Sequence, residues 1–422
     1  MLGVSVGGFL WSARNLIWVK RRIELQRDIG VYGGGLDDDG EEVELLLQGG
    51  DEEEGGRKIK EGDGDVTFAG LVEYTLGDTK GKGVKAMIMC QQFGIVLTYF
   101  IFISTNLSSI GLSLSPHLIV GLVAITQIPL SWIKDISKLS STNMLANCLI
   151  AYGLITVTIY ALFRTPENSS DTDDDVLPPP PSVIPEVGVS RRLELSPIRP
   201  QWYLFIGMSV LLFEGLITLI LPLHSACKDA KLKKDFEGIL VKVVISIVTF
   251  YAVFAVVSWW SFGDDVHVVL TASLPKGNWS RSVQVCYSLA VLFTFPLQNF
   301  PALTIVTAAM HGKLGGGEWV EFGGGRIRWE HVRCLTTTAV VIGLALVSVE
   351  LEDSLSHLVS LVGSCFGIPL AFIVPSLMQN SFGTDVSEGR RKTNGMVVGF
   401  GVITMAAAGM ATILTWNENT EG

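Results

Sequence analysis

Residues 202–223 read WYLFIGMSVLLFEGLITLILPL, an apolar run long enough to cross a bilayer, with one carboxylate, Glu214, held between Phe213 and Gly215. An ionisable side chain at bilayer depth is costly, so it faces a bundle interior or a water-filled cavity and marks a path for solute or ions. Gly215 and Pro222 both weaken regular helical hydrogen bonding. Broken helix at membrane depth is tolerated only where protein or cavity water satisfies the freed backbone groups. The run therefore predicts an interrupted helix that carries the binding site of a transported solute.

The rest of the chain supports a membrane setting. Over 422 residues, 48% are hydrophobic and 17% charged, too apolar a balance for a soluble chain of this length. Net charge is −10, but the acids gather in residues 36–54 and 167–175, which read as solvated loops rather than binding faces. Six cysteines are scattered without a CxxC pair and read as small buried hydrophobes, and six dispersed histidines support no metal site. The glycine triplets at 33–35, 315–317 and 323–325 lack the strand and helix that a phosphate loop needs, and read as flexible links. No cofactor and no nucleic-acid partner is implied.

Ten stretches approach the roughly 20 apolar residues of a membrane span. They run Leu2–Val19, Val84–Leu107, Leu118–Ile133, Met144–Phe163, Tyr203–Leu223, Ile239–Phe262, Val283–Ala309, Leu335–Leu351, Leu355–Met378 and Met396–Trp416. The domain reading is a partial span over 1–19, a disordered cytosolic loop over 20–65, and a transporter domain over 66–422 that contains a disordered lumenal loop, 164–200, with four consecutive prolines. Val66–Gly77 is too short to span and reads as an amphipathic surface helix.

Lys and Arg concentrate in alternate connections: Lys20-Arg21-Arg22, Lys134 with Lys138, Lys228 to Lys234, Arg326 to Arg333, and Arg390-Arg391-Lys392. The positive-inside bias places these in the cytosol. Two glycosylation sequons, at Asn168 and Asn278, fall on the opposite side, in agreement. Both chain ends then lie outside, and with an even number of spans and no polar leader before Leu2 the expectation is a chain shortened at its start.

Five blocks resemble the amino acid/auxin permease family of eleven-span transporters (the amino acid transporter transmembrane domain), in particular its vacuolar neutral amino acid exporters and proton-coupled members. They are Cys90 to Gly94 with Tyr99 to Phe102; Ile128 to Asn147; Leu212 to Leu223; Tyr287 to Ala290 with Phe295 to Ala302; and Leu361 to Ser364 with Ile368 to Leu370. The resemblance implies an all-α membrane protein with a LeuT-like bundle of two inverted five-helix repeats, the span with Glu214 opening the second. About ten spans are present in that frame and the family's first helix is missing. It further implies a proton-coupled secondary transporter of amino acids working by alternating access, not an enzyme, with amino acid, protons and the lipid bilayer as partners. A vacuolar or lysosomal membrane is expected, with the plasma membrane as the other possibility.

Phe213, Glu214, Gly215, Gln92 and Tyr99 are the candidate substrate-binding residues, with Glu214 also the proton-coupling group. Gln92, Tyr99 and Asn106 recur every seven residues and share a helix face; polar groups so placed also serve as bonds across helices. Pro296 and Pro301 read as kinks, Gly363, Ser364 and Gly367 as a close-packing patch, and Arg14 and Lys242 as snorkelling side chains. A receptor or channel would show seven spans or repeated pore loops, and a membrane enzyme convergent catalytic groups at one face. The alternative is a truncated, non-transporting fragment or an amino acid sensor of the same fold.

Overall fold

The computed structural model describes residues 2–32, 68–110, 115–133, 140–163, 202–211, 213, 220–221, 223–224, 227, 229–262, 269–274, 277–314, 317–322 and 325–416. Its helices are α1 (Leu2–Tyr32), α2 (Phe68–Leu76), α3 (Asp78–Ser109), α4 (Pro116–Ser131), α5 (Ser140–Phe163), α6 (Trp202–Leu211), α7 (Ala230–Phe262), α8 (Asn278–Lys313), α9 (Trp329–Glu350), α10 (Leu355–Val362), α11 (Val374–Asn380) and α12 (Glu388–Leu414). Two π segments, Gly363–Gly367 and Pro369–Ile373, fill most of the stretch between α10 and α11.

Seven helical stretches among the described residues are long and apolar enough to cross a membrane: 78–109, 140–162, 233–261, 278–313, 329–350, 352–380 and 388–414. Helices α4 and α6 are apolar but shorter. The chain is thus an all-α membrane protein in its main architecture. Its one sheet among the described residues is the antiparallel hairpin β1 (Trp319–Phe322) and β2 (Gly325–Arg328), in register Trp319 to Arg328. These strands, which the sequence reading did not anticipate, lie beside the glycine triplets read as flexible links, of which residues 315, 316, 323 and 324 lie outside the described residues. Helix α1 also runs past the apolar residues that nominate it, through Lys20 to Tyr32.

The chain divides into two compact units. The first comprises 1–87, 209–245 and 367–406, the second 88–208, 246–366 and 407–422. In the second, Val96, Phe100 and Ile103 of α3, Ile119, Val120, Val123 and Ala124 of α4, Phe295 of α8 and Val341 and Ala345 of α9 form a continuous buried cluster. Phe100 meets Phe295 edge to face at 5.1 Å, a geometry worth about 0.5–1.5 kcal/mol beyond burial. Lipid tails are as apolar as leucine, so close packing rather than water exclusion holds such helices together. Gly207 and Gly363 show how close. A β-carbon on Gly207 would lie 2.1 Å from the Ser360 carbonyl oxygen, and one on Gly363 would lie 2.0 Å from that of Gly207. Only glycine permits this backbone-to-backbone crossing.

Proline decides another contact in this unit. Pro296 has no N–H, so the Leu292 carbonyl one turn earlier lacks its helical donor. Gln127 of α4 supplies the replacement, Nε2 donating to Leu292 O at 2.8 Å.

The first unit is organised by a buried asparagine. Asn394 of α12 accepts on Oδ1 from Trp11 Nε1 (2.8 Å) and Asn15 Nδ2 (2.9 Å) of α1. Its Nδ2 donates to Gln379 Oε1 and Asn380 Oδ1 of α11, both at 2.8 Å. All four capacities of the amide are used. Arg14 pairs with Glu237 of α7.

The cysteines correct the sequence reading. None is buried: Cys148 is exposed and the other five are partly so. On a surface solvated by lipid an apolar side chain has no reason to hide, as exposed Leu122, Ile125, Val253 and Val256 also show.

Candidate functional site

The region nominated by Phe213-Glu214-Gly215 is described at Phe213, whereas Glu214 and Gly215 lie outside the described residues. Helix α6 covers Trp202–Leu211, and Phe213 sits in a turn with its N–H donated to Val210 O at 3.0 Å. The Phe213 ring is buried and stacks on Phe9 of α1, centroids 5.1 Å apart and planes inclined by 21°. Phe9 was missed by sequence reasoning. It lies in an otherwise unremarkable apolar run, and nothing in its spacing marks it as the partner of a residue so far along the chain.

Gln92 and Tyr99 belong to the second unit and are described there by themselves. Gln92 is buried, and its Oε1 accepts from Gln298 Nε2 of α8 at 2.6 Å. Tyr99, one heptad on, packs against Phe295 of α8 at 6.4 Å. Asn106, a heptad further, receives the Thr271 hydroxyl on Oδ1. Gln284 Nε2 donates to the Thr271 carbonyl oxygen at 3.0 Å, so the 3₁₀ turn Leu270–Ser273 is tied to both α3 and α8. The heptad row of α3 thus meets an amide, a ring and a hydroxyl in turn.

Beside Gln298 is the least satisfied polar group of this unit. Asn299 is 0% exposed, and neither its Nδ2 nor its Oδ1 has a hydrogen-bond partner among the described residues. Ser288 Oγ, also on α8, is buried and likewise without a partner among them. An unpaired buried donor or acceptor costs about 1–3 kcal/mol. An amide with neither atom satisfied in a proline-flanked stretch therefore has the character of a site that a polar ligand or water completes. Its sequence signal was available in Pro296-Leu297-Gln298-Asn299-Phe300-Pro301, where two adjacent amides interrupt an apolar span.

The path from 352 to 380 is the most enclosed, with 72% of its most apolar window buried, against 11% for the 233–261 helix. It also carries both π segments. π-bulges inside helices are frequent at functional sites. The patch of Gly363, Ser364 and Gly367 lies in the first of them, with Ser364 Oγ donating to Leu361 O at 3.2 Å. Asn278, one of the two sequons, opens α8 and is exposed; Asn168 lies outside the described residues.

Comparison with known proteins bears on what this arrangement serves. Residues 53–415 match the family described as transmembrane amino acid transporter protein. Vacuolar amino acid transporter 3 of Saccharomyces cerevisiae is 27% identical over 349 residues, 79% of this chain and 46% of the relative. Vacuolar amino acid transporter 4 of the same yeast is 28% identical over 311 residues, 69% of this chain and 41% of the relative. Amino acid transporter ANT1 of Arabidopsis thaliana is 26% identical over 336 residues, 75% of this chain and 69% of the relative. The chain spans less than half the length of the two yeast proteins. With the family's characteristic region matched over most of its residues, the chain belongs to the transmembrane amino acid transporter family.

Proposed function

We propose that this chain is a secondary active transporter of amino acids, coupled to protons and working by alternating access in a LeuT-like bundle of inverted repeats. The observation that carries the reading is the family match across residues 53–415. Buried amides in the second unit, Gln92 bonded to Gln298 and Asn299 without a partner among the described residues, support a carrier of polar solutes. A vacuolar or lysosomal membrane is supported by the names of the two yeast relatives.

Glu214 is assigned the central role: it neutralises the substrate ammonium or carries the coupled proton, since it is the one carboxylate in the run 202–223. Phe213 and Gly215 frame it, their backbone carbonyls accepting from the substrate amine. Gln92 and Tyr99 are assigned as further substrate contacts, with Gln298 and Asn299 added to them.

Uptake of labelled amino acids into vesicles under an imposed proton gradient tests the reading. The wild-type chain is expected to accumulate substrate only with the gradient, and Glu214→Gln to reduce accumulation to background. Failure of the wild type to move any amino acid under any gradient would overturn the transporter reading; full activity in Glu214→Gln would remove Glu214 from it.

A further inference from the structure

Just past the apolar run 202–223, within the first unit, lies a cationic cluster that neither substrate binding nor proton coupling uses. Lys20 of α1 is 2% exposed, and its ammonium donates to Leu221 O at 3.3 Å. The Glu24 carboxylate stands 3.9 Å from Lys20 Nζ and 3.8 Å from Lys233 Nζ, too far to hydrogen-bond closely with either. Arg21 Nη2 reaches the same place, donating to Lys233 O at 3.1 Å.

Helix α7 begins here, and its first five residues include Lys231, Lys233 and Lys234. The start of a helix carries positive potential and favours acids. Asp229 caps one N–H, Lys231 N donating to its Oδ1 at 2.9 Å, but no acid stands in the first turn itself. Lysines placed against the macrodipole in this way make an unfavourable field that an anion would relieve.

A second and independent observation points the same way. His224 is 0% exposed, and neither ring nitrogen has a hydrogen-bond partner among the described residues. Its ring packs edge to face on Phe236 of α7 at 5.2 Å and lies within electrostatic range of Lys20, Lys233 and Arg21. Burial first, then these three cations, holds the imidazole neutral, with its pKa lowered to about 4. A buried imidazole with neither nitrogen bonded among the described residues, beside three cations, has the makings of an anion site: the cations supply charge and the ring supplies an N–H.

We propose that Lys20, Arg21 and Lys233, with His224 as a hydrogen-bond donor, bind a phosphate-bearing anion at the side that charge bias assigns to the cytosol. The ligand is either the phosphorylated headgroup of a membrane lipid or a soluble phosphate compound. Glu24 holds the two lysines in its absence and moves aside or shares them on binding. The site stands apart from Glu214 chemistry and does not depend on which solute the chain carries.

The test titrates the purified full chain in detergent with three probes: dioctanoyl phosphatidylinositol bisphosphate, inositol trisphosphate and inorganic phosphate. Saturable binding is expected, weakening with salt as charge contacts do. A basic residue near an anionic surface is worth roughly one fivefold step in affinity, so Lys233→Ala and Arg21→Ala are each expected to weaken binding about fivefold. Lys233 is the safer position because its side chain is 42% exposed, whereas the buried Lys20 would disturb folding. His224→Phe should keep the fold against Phe236 and still weaken binding. Preference for the dioctanoyl lipid over inositol trisphosphate supports a lipid source; equal affinity for the two supports a soluble one. No saturable binding of any probe, or affinity unchanged in both Lys233→Ala and Arg21→Ala, overturns the proposal.

Discussion

Replacing Asn394 with leucine, which keeps its branching at Cγ but is larger, removes every hydrogen bond of the amide that joins α1, α11 and α12. Four bonds are lost, to Trp11, Asn15, Gln379 and Asn380. Interhelical hydrogen bonds in membrane proteins average about 0.6 kcal/mol each, which for four sets a floor of about 2–3 kcal/mol. Asn15 and Gln379 are almost fully buried and cannot turn to solvent, whereas Trp11 and Asn380 are partly accessible. Two stranded amides at about 1–3 kcal/mol each put the upper end near 6 kcal/mol. The expected loss is therefore about 2–6 kcal/mol, measured as unfolding free energy in mixed micelles followed by tryptophan fluorescence. Lys392→Ala, two residues earlier and exposed, is the control and should stay within about 0.5 kcal/mol. A loss in Asn394→Leu no larger than the control would refute the reasoning, since it would mean that the four partners find equally good bonds without the hub.

Gly207→Ala and Gly363→Ala should each sharply lower the yield of folded protein in a size-exclusion assay, because the added methyl meets backbone. The double variant should cost less than the sum, since one crossing is broken twice. Gln298→Leu removes the bond to the buried Gln92 Oε1 and should cost about 1–3 kcal/mol, while adding Gln92→Leu should recover much of it; recovery of stability without recovery of uptake would tie the pair to substrate. His224 gives a pH signature. Its folded pKa lies near 4, below the ordinary 6.5, so the unfolded chain takes the proton first. Stability is full above about pH 6.5 and falls as pH drops towards 4; His224→Phe should flatten melting temperature across that window, and an unchanged pH slope would count against the buried neutral imidazole.

Most of the membrane architecture was legible in the chain, because lipid is a uniform solvent and a span must satisfy it residue by residue. Length and apolarity therefore located the helices at 78–109, 140–162, 233–261, 278–313, 329–350, 352–380 and 388–414. The same reasoning misjudged the cysteines, since composition does not say which side of an apolar helix faces lipid and which faces protein. It also missed the hairpin at 319–328, whose strands of four residues each are too short to carry a clear pattern.

Partners were what tertiary structure alone decided. The period of α3 placed Gln92, Tyr99 and Asn106 on one face, but Gln298 lies 206 positions from Gln92, and no local rule joins them. Asn394 lies 379 positions from Asn15, and its four bonds exist only because three helix surfaces converge on one amide. Gly207 and Gly363 could be read as small, but not as touching. Sequence fixes a helix through the energy of each residue in its solvent, whereas a hydrogen bond or a backbone crossing is set by the meeting of two surfaces, and that meeting is a property of the folded chain.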